Sequence, residues 1–394
     1  MKLISAVLLG LLATPALAAP PALSPAEVER LRTAGATILF WNEAQRDANF
    51  PAMGKTFPTD RVATGTRVRP LPAGPSIVDK LGGDAALAAR MADMKAAGLI
   101  VLQDGRVVLE RYARTLTPEM RWTSFSVAKS FTSTLVGAAI KDGYIRSVED
   151  PITRYLPELK GSGYDGVTIR QVLTMTSGVR WNEDYTDPKS DVAQMYAKPV
   201  AAGVDPTLAY LRTLPREAAP GTRWVYKTGE TNLIGVLVTR TTGKSLATYL
   251  SEKVWKPYGM ERPAAWMMDA SGQDIGGCCL SVGLRDYARF GQFILEGGQG
   301  VLPAGWLAAA TGPTVPITAA GGRPLRGGYY GYQWWTASDH FDALGIFGQQ
   351  IRIDSQRRLV VVVNSNWPTA ISRDYEAKRA ALIADIERAV DQRS

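Results

Sequence analysis

The chain has 394 residues, of which 46% are hydrophobic and 21% are charged. This balance excludes a disordered or fibrous protein and is typical of a folded globular one. The 45 lysines and arginines exceed the 37 aspartates and glutamates, which gives a formal net charge of +8. No run of five like charges and no nucleic-acid-binding motif accompanies this excess, so we expect no nucleic acid as a partner.

The N-terminus has the pattern of a signal peptide. Lys2 supplies a basic start, residues 3–13 are an apolar stretch, and Ala16-Leu17-Ala18 is a small-x-small cleavage site. We predict that residues 1–18 are removed and that the protein is exported, to the periplasm or beyond. Prolines interrupt the apolar stretch before it reaches the ~20 residues of a membrane span. Residues 19–394 are therefore predicted to form the mature domain, with no stable membrane anchor.

The cysteine and histidine content argues against a metal site. Cys278 and Cys279 are the two cysteines and His340 is the one histidine, too few ligands for structural zinc. The Cα atoms of adjacent residues lie ~3.8 Å apart, whereas disulfides usually need ~4.4 to 6.8 Å, so an ordinary bridge between the two would be strained. We expect no metal and no organic cofactor.

The apolar pattern predicts an α+β fold. Residues 97–113 read as a hairpin, and residues 359–363 as a central strand buried on both faces. A terminal helix follows, with Ser372 as its N-cap. Since the intervening region is mainly helical, we predict an antiparallel sheet built from both termini and flanked by helices. Its sheet lobe spans about 25–125 and 296–394, and the inserted helical lobe about 126–295.

A possible nucleophile occurs in Ser126-Val127-Ala128-Lys129, the one S-x-x-K motif of the chain. On a helix, positions i and i+3 share a face, so the lysine amine can reach the serine hydroxyl and activate it. A chance motif with a solvated lysine is the alternative. The G-x-S-x-G elbow is absent. A Ser-His-Asp triad would have to use His340, whose surroundings show no other triad feature.

The surrounding motifs favour the catalytic interpretation. They are Trp122 to Phe131 (WTSFSVAKSF), Val148 to Ile152 (VEDPI), Thr168 to Gly178 (TIRQVLTMTSG), Pro220 to Tyr226 (PGTRWVY), Gly243 to Leu246 (GKSL) and Pro257 to Met260 (PYGM). In this order they resemble the serine β-lactamase and penicillin-binding-protein superfamily, in its class C-related branch of esterases and 6-aminohexanoate-dimer hydrolases. The resemblance extends from about residue 95 to residue 365.

The resemblance implies roles for individual residues. Ser126 falls on the acylated serine, Lys129 on the S-x-x-K lysine, and Tyr226 on the tyrosine that relays a proton to the leaving group. The bare pattern Tyr-x-(Asn/Ser/Thr) also matches Tyr249-Leu250-Ser251, but the Pro-Gly-Thr before Tyr226 and the residues after it select Tyr226. Thr228 stands where the branch often has asparagine, which replaces an amide with a hydroxyl.

The third motif of the superfamily departs from its usual form. The literal triplet Lys227-Thr228-Gly229 overlaps the tyrosine motif, whereas the corresponding strand position is Ala343-Leu344-Gly345. The usual lysine or histidine that grips a substrate carboxylate is therefore missing. The backbone amides of Ser126 and Ile346 are implied to form the oxyanion-stabilising pair. Arg352 or Arg326 would be the basic residues that could replace the missing cation.

We therefore predict a serine hydrolase that forms an acyl-enzyme on Ser126 with a small ester or amide substrate. By resemblance, residues 181–185 form a loop over the cleft, and Tyr185 contacts the substrate. One alternative is a weak β-lactamase or D-Ala-D-Ala carboxypeptidase. Another is a sensor that binds peptidoglycan or β-lactams without turnover. The oligomeric state, and whether Lys129 or Tyr226 is the first base, stay open at this point.

Overall fold

The computed structural model describes residues 24–197, 200, 204–318 and 324–392. The predicted signal peptide, residues 1–18, lies outside these residues. Within the described part of the chain, no helix has the length and apolar character needed to cross a bilayer.

The strands and helices follow one another from Pro25 to Asp391. In chain order, the strands are β1 (Thr59–Val62), β2 (Ala96–Gln103), β3 (Arg106–Tyr112), β4 (Arg121–Thr123), β5 (Ala264–Met267), β6 (Leu280–Gly283), β7 (Val315–Thr318), β8 (Pro324–Tyr330), β9 (Trp335–Thr336), β10 (Phe341–Gly345), β11 (Gln349–Asp354) and β12 (Leu359–Ser365). The helices are α1 (Pro25–Thr37), α2 (Glu43–Asn49), α3 (Met53–Thr56), α4 (Gly83–Asp93), α5 (Ala128–Lys141), α6 (Ile169–Leu173), α7 (Asp191–Ala197), α8 (Pro206–Leu211), α9 (Thr228–Thr242), α10 (Leu246–Leu250), α11 (Lys256–Tyr258), α12 (Leu284–Leu295), α13 (Trp306–Thr311) and α14 (Arg373–Asp391).

The main sheet joins the two ends of the chain, as predicted. Its strand order is β3-β2-β12-β11-β10-β9-β8-β7, and each neighbouring pair is antiparallel. The strand β12 near the C-terminus lies between β11 and β2, so the chain pairs across the helical insertion. This topology confirms the α+β fold with an antiparallel sheet flanked by helices.

The central strand β12 is buried on both faces because its side chains alternate between two cores. Val360 and Val362 pack into the largest hydrophobic cluster, which includes residues of α5, α9 and α12. Val361 and Val363 pack on the other side, against residues of α4 and α14. The continuous apolar run that predicted this strand therefore results from two layers of helices.

Helix α5, which begins just after the predicted nucleophile, is buried over most of its length. Every residue from Ala128 to Ala139 is buried, and small side chains allow the close packing. A Cβ on Gly137 would lie 2.8 Å from side-chain atoms of Leu302 and Trp306. The core thereby holds both the axis and the rotation of the helix that carries Lys129.

A second, four-stranded sheet has the order β1-β5-β6-β4. Its strands have three or four residues each, too short for the sequence pattern to have predicted them. Strand β4 pairs with β6 and leads directly into the turn before α5. The backbone N–H of Ser124 donates to the carbonyl of Leu280, and the Leu280 N–H donates to the Ser124 hydroxyl, both at 2.9 Å. This sheet anchors the turn on which Ser126 lies.

Candidate active site

Ser126 lies in a short 3₁₀ turn, Phe125–Val127, between β4 and α5. Phe125 has a φ of 43°, in the left-handed region that few non-glycine residues adopt. Its buried ring packs against Phe50 and Phe347, with centroids 5.1 and 5.2 Å away. Aromatic packing thus holds a backbone conformation that would otherwise be unfavourable, as is common at functional sites.

Lys129 lies one helical turn after Ser126 and points at it. The lysine Nζ is 3.1 Å from the Ser126 Oγ, 3.1 Å from the Thr228 Oγ1 and 2.6 Å from the carbonyl oxygen of Gly277. Its side chain is only 2% exposed. The structure thus brings serine and lysine together as the S-x-x-K spacing predicted, and encloses the amine among oxygen atoms.

Burial lowers the pKa of Lys129 from 10.5 to about 8, and the charge of Glu183 partly opposes this change. Desolvation disfavours the ammonium form more than a single nearby carboxylate restores it. A substantial fraction of the amine is therefore neutral at mildly alkaline pH. A neutral amine can accept the hydroxyl proton of Ser126.

Tyr226 lies just before α9 and contacts the same serine. Its hydroxyl is hydrogen-bonded with the serine side chain, and its ring is 5.3 Å from the Lys129 Nζ. Trp335 stacks on the same ring at 5.5 Å. Burial, reinforced by the charge of Glu183, raises the pKa of Tyr226 above its ordinary value. The tyrosine is therefore a neutral phenol, able to donate a proton rather than to accept one first.

The end of β10 lies against the serine turn. A Cβ on Gly345 would lie 2.5 Å from the carbonyl oxygen of Ser124 and 3.2 Å from the backbone nitrogen of Ser126. Only glycine permits this approach. Ile346, which follows, is thereby placed beside the serine turn. Ala343 is buried on the same strand, so the usual basic residue of the third motif is absent there.

The literal triplet Lys227-Thr228-Gly229 lies at the start of α9 and not on β10. Lys227 is 1% exposed, and its Nζ pairs with the buried Glu230 Oε1 at 3.4 Å. The lysine therefore does not serve as the strand cation. Thr228, in contrast, contacts the amine of Lys129 directly.

Glu183 is the site residue that the sequence analysis missed. It accepts hydrogen bonds from the Thr228 N–H at 2.8 Å, the Thr228 hydroxyl, the Trp181 indole N–H and the Tyr185 hydroxyl at 2.8 Å. The predicted substrate residue Tyr185 thus has its hydroxyl on Glu183. A single glutamate in a loop belongs to no sequence motif, so its role could not be predicted. The only signal in this segment was the aromatic residues around it.

Other candidates from the sequence lie in different environments. His340 contacts Asp339 Oδ1 at 2.8 Å and Asp342 Oδ2 at 3.6 Å, and no hydrogen bond joins it to Ser126 among the described contacts. Arg352 pairs with Asp342 and Glu387, so its guanidinium is already neutralised. The side chain of Arg326 lies outside the described residues.

Cys278 and Cys279 are joined by a disulfide in the structure, although we expected strain in a bridge between neighbours. Cys279 has a φ of 69° at this turn. The preceding Gly277 supplies the carbonyl that accepts from Lys129. A Cβ on Gly277 would lie 2.7 Å from Asn232 Oδ1, so glycine is needed for this carbonyl to reach the lysine. Among the described residues, no group of three histidine, cysteine or acidic side chains could hold a metal ion.

This fold and site define a protein of the β-lactamase and transpeptidase type. A family model described as Beta-lactamase matches residues 84–386, and the chain belongs to the beta-lactamase family. The 6-aminohexanoate-dimer hydrolase of Paenarthrobacter ureafaciens is 31% identical over 379 residues, covering 90% of this chain and 94% of that protein. These findings confirm the family and the branch that the motifs indicated.

Solved structures show the same fold. A Bacillus anthracis protein assigned as a 6-aminohexanoate-dimer hydrolase has a TM-score of 0.77 at 24% identity, covering 88% of this chain and 94% of its own. A class C beta-lactamase has a TM-score of 0.59 at 17% identity, covering 81% of this chain and 97% of its own. At these identities the similarity shows the fold alone.

Proposed function

We propose that the protein is a serine hydrolase that cleaves an ester or amide bond through an acyl-enzyme on Ser126. The observation that carries the proposal is the 3.1 Å contact between the Ser126 Oγ and the Nζ of a buried lysine. Burial lowers the pKa of Lys129 to about 8. Family membership and a hydrolase relative of nearly full coverage support the same general chemistry.

In the proposed acylation, the neutral amine of Lys129 accepts the Ser126 hydroxyl proton as the oxygen attacks the substrate carbonyl carbon. The raised pKa of Tyr226 makes the phenol a poor first base, so the lysine takes this role. The carbonyl oxygen becomes an oxyanion, which the N–H groups of Ser126 and Ile346 stabilise.

Collapse of the tetrahedral intermediate breaks the bond to the leaving alcohol or amine. The leaving atom takes the phenol proton of Tyr226, and the lysine ammonium returns a proton to the tyrosine. Water then attacks the acyl carbon with the same groups as base and acid, releasing the acid product and restoring the Ser126 hydroxyl. The protons and charges of the cycle therefore balance within the three side chains.

The proposed substrates are small esters or amides without a carboxylate at the third-motif position. Ala343 supplies no charge there, and Arg352 is neutralised by Asp342 and Glu387. A charge-assisted hydrogen bond contributes about 1.5 to 3 kcal/mol, and substrates that depend on it are correspondingly disfavoured. A weak β-lactamase or carboxypeptidase is therefore the less supported proposal.

The experiment is a steady-state assay of the mature protein with p-nitrophenyl acetate and butyrate and with small amides that carry no carboxylate. Turnover by the wild type and its loss in Ser126→Ala supports the proposal. Stoichiometric binding of β-lactams without turnover of any ester or amide would instead support the sensor.

We also propose export, which rests on the signal-peptide pattern of residues 1–18. N-terminal sequencing of the protein secreted by a bacterial host should begin at Ala19. Retention of an unprocessed chain in the cytoplasm would contradict it.

A further inference from the structure

A chain of hydrogen bonds runs from the nucleophile to the loop carboxylate. The Lys129 Nζ contacts the Ser126 Oγ at one end and the Thr228 Oγ1 at the other, each at 3.1 Å. The Thr228 hydroxyl in turn donates to Glu183 Oε1. These hydrogen bonds are enclosed by protein, because Lys129 is 2% and Thr228 6% exposed.

The chemistry of the groups at the far end sets the direction of these bonds. A carboxylate accepts and cannot donate, so the single hydroxyl proton of Thr228 goes to Glu183. The Thr228 oxygen can then only accept from Lys129. The carbonyl of Gly277, 2.6 Å from the same amine, is also an acceptor. Both N–H bonds of a neutral lysine are thus used, and its lone pair is left for the Ser126 hydroxyl.

We propose that Glu183 is a positioning residue that, through Thr228, directs the lone pair of neutral Lys129 toward Ser126. The inference rests on the proposed function, since it concerns the base of that reaction. Glu183 acts through another side chain and transfers no proton to the substrate. The Glu183 carboxylate accepts from both the N–H and the hydroxyl of Thr228. These two contacts hold the threonine side chain in one orientation.

A glutamine at position 183 would no longer fix the direction of the hydrogen bonds made by Thr228. Its carboxamide places an NH₂ donor among four donors, those of Thr228, Trp181 and Tyr185. The Thr228 hydroxyl would then turn to accept from the amide and donate to Lys129. The lone pair of the amine would be occupied by Thr228 instead of Ser126, and the attack would be slowed.

The charge of Glu183 has a second, measurable effect. The titratable groups of the described residues that face the Lys129 amine are Glu183 from the loop and Tyr226 from the segment before α9. Ser126, Thr228 and Gly277 present hydroxyl or carbonyl groups that do not titrate in this range. Because Glu183 raises the pKa of Lys129 against the effect of burial, its neutralisation lowers that pKa further.

The test compares the pH dependence of kcat and KM for p-nitrophenyl butyrate in wild type, Glu183→Gln, Thr228→Val and the double variant. We expect kcat of Glu183→Gln to fall about 10- to 100-fold, part of the 10² to 10⁴ that a general base supplies. KM should change by no more than about twofold. The rise of kcat on the acidic side of its pH profile should move to lower pH. Adding Glu183→Gln to Thr228→Val should cost little more, because the connection is already broken.

Two variants serve as controls. Asp184→Asn removes the neighbouring exposed carboxylate, whose partner is Thr186, and should keep the wild-type kcat and pH profile. Thr228→Ser keeps the hydroxyl and should retain most of the activity. If Glu183→Gln does not fold, as judged by circular dichroism and Tm, the Thr228→Val and Thr228→Ser pair decides the question.

The proposal is overturned if Glu183→Gln keeps the wild-type kcat and acidic limb, or if its effect adds fully to that of Thr228→Val. It is also overturned if only KM rises, since Glu183 would then bind substrate. In the fallback comparison, Thr228→Val at the wild-type rate would contradict it. A wild-type protein that is not acylated on Ser126 would overturn the proposed function and this inference together, whereas acylation with an unaffected Glu183→Gln removes the inference alone.

Discussion

The Nζ of Lys129 lies 3.1 Å from the Oγ of Ser126, and the same lysine is 2% exposed. A lysine with its ordinary pKa would be an ammonium at neutral pH, and an ammonium cannot accept the hydroxyl proton of Ser126. Burial changes this by lowering the pKa of the amine to about 8. The proposed role of Lys129 as the base therefore requires the burial that α5 provides as well as the S-x-x-K spacing.

The first prediction concerns the pH dependence of ester hydrolysis. Lys129 must be neutral to act as base, so kcat/KM should be low at acidic pH, rise through about pH 8 and then level off. Lys129→Arg keeps a cation that cannot lose its proton, and should lower kcat at least ~100-fold at every pH. An active Lys129→Arg, or a profile that is flat from pH 6 to 9, would refute the role of Lys129.

The second prediction is that Lys129 and Tyr226 act as one unit. Tyr226→Phe removes the proton donor while keeping the stack on Trp335, and should lower kcat by ~10² or more. Combined with Lys129→Met, it should add little to the effect of the lysine variant alone. The matched control is Tyr249→Phe, which removes the hydroxyl of the other tyrosine that fits the Tyr-x-(Asn/Ser/Thr) pattern; that hydroxyl is bound to Asp142. It should retain kcat, and a comparable loss there would point to general destabilisation.

The third prediction concerns the approach of β10 to the serine turn. Gly345→Ala would place a Cβ 2.5 Å from the Ser124 carbonyl oxygen, a distance that backbone atoms cannot accommodate without a shift. We expect the Ile346 amide to move away from the oxyanion position, with a loss of kcat of ~10-fold or more. Gly35→Ala, which has open space around its Cβ, should leave kcat unchanged. Wild-type turnover in Gly345→Ala would exclude the proposed oxyanion pair.

The fourth prediction concerns substrate preference. Without a cation at Ala343, kcat/KM for nitrocefin should be lower by ~10- to 150-fold than a site with that cation would give, equivalent to the ~1.5 to 3 kcal/mol of one charge-assisted hydrogen bond. Parallel measurements with nitrocefin and p-nitrophenyl butyrate should therefore favour the ester. Turnover of nitrocefin at the rate of a dedicated β-lactamase would show that the missing cation does not matter.

Local patterns were sufficient to predict the elements that rest on long apolar runs. Strand β12 and the β2–β3 hairpin were predicted because continuous hydrophobic stretches end at turn residues. The S-x-x-K spacing indicated Ser126 and Lys129 as a possible pair, and the family resemblance of the surrounding motifs selected this interpretation over a chance match. The strands depend on residues that are neighbours in sequence, so there the apolar pattern alone contains the information.

Contacts between distant segments could not be predicted in this way. The short strands β5 and β6 owe their conformation to pairing with β1 and β4, and their sequences have too few residues for a period. Glu183 becomes part of the site only because its loop folds against Thr228, which lies 45 residues further along the chain. The carbonyl of Gly277, 148 residues from Lys129, is part of the backbone and leaves no pattern in the sequence.

The most direct measurement is the mass of the mature protein after reaction with a fluorophosphonate probe, followed by peptide mapping. We expect a single adduct on the peptide that contains Ser126, which is absent in Ser126→Ala and forms more slowly in Lys129→Met. An adduct on another serine, or labelling that persists in Ser126→Ala, would contradict the assignment of Ser126 as the nucleophile.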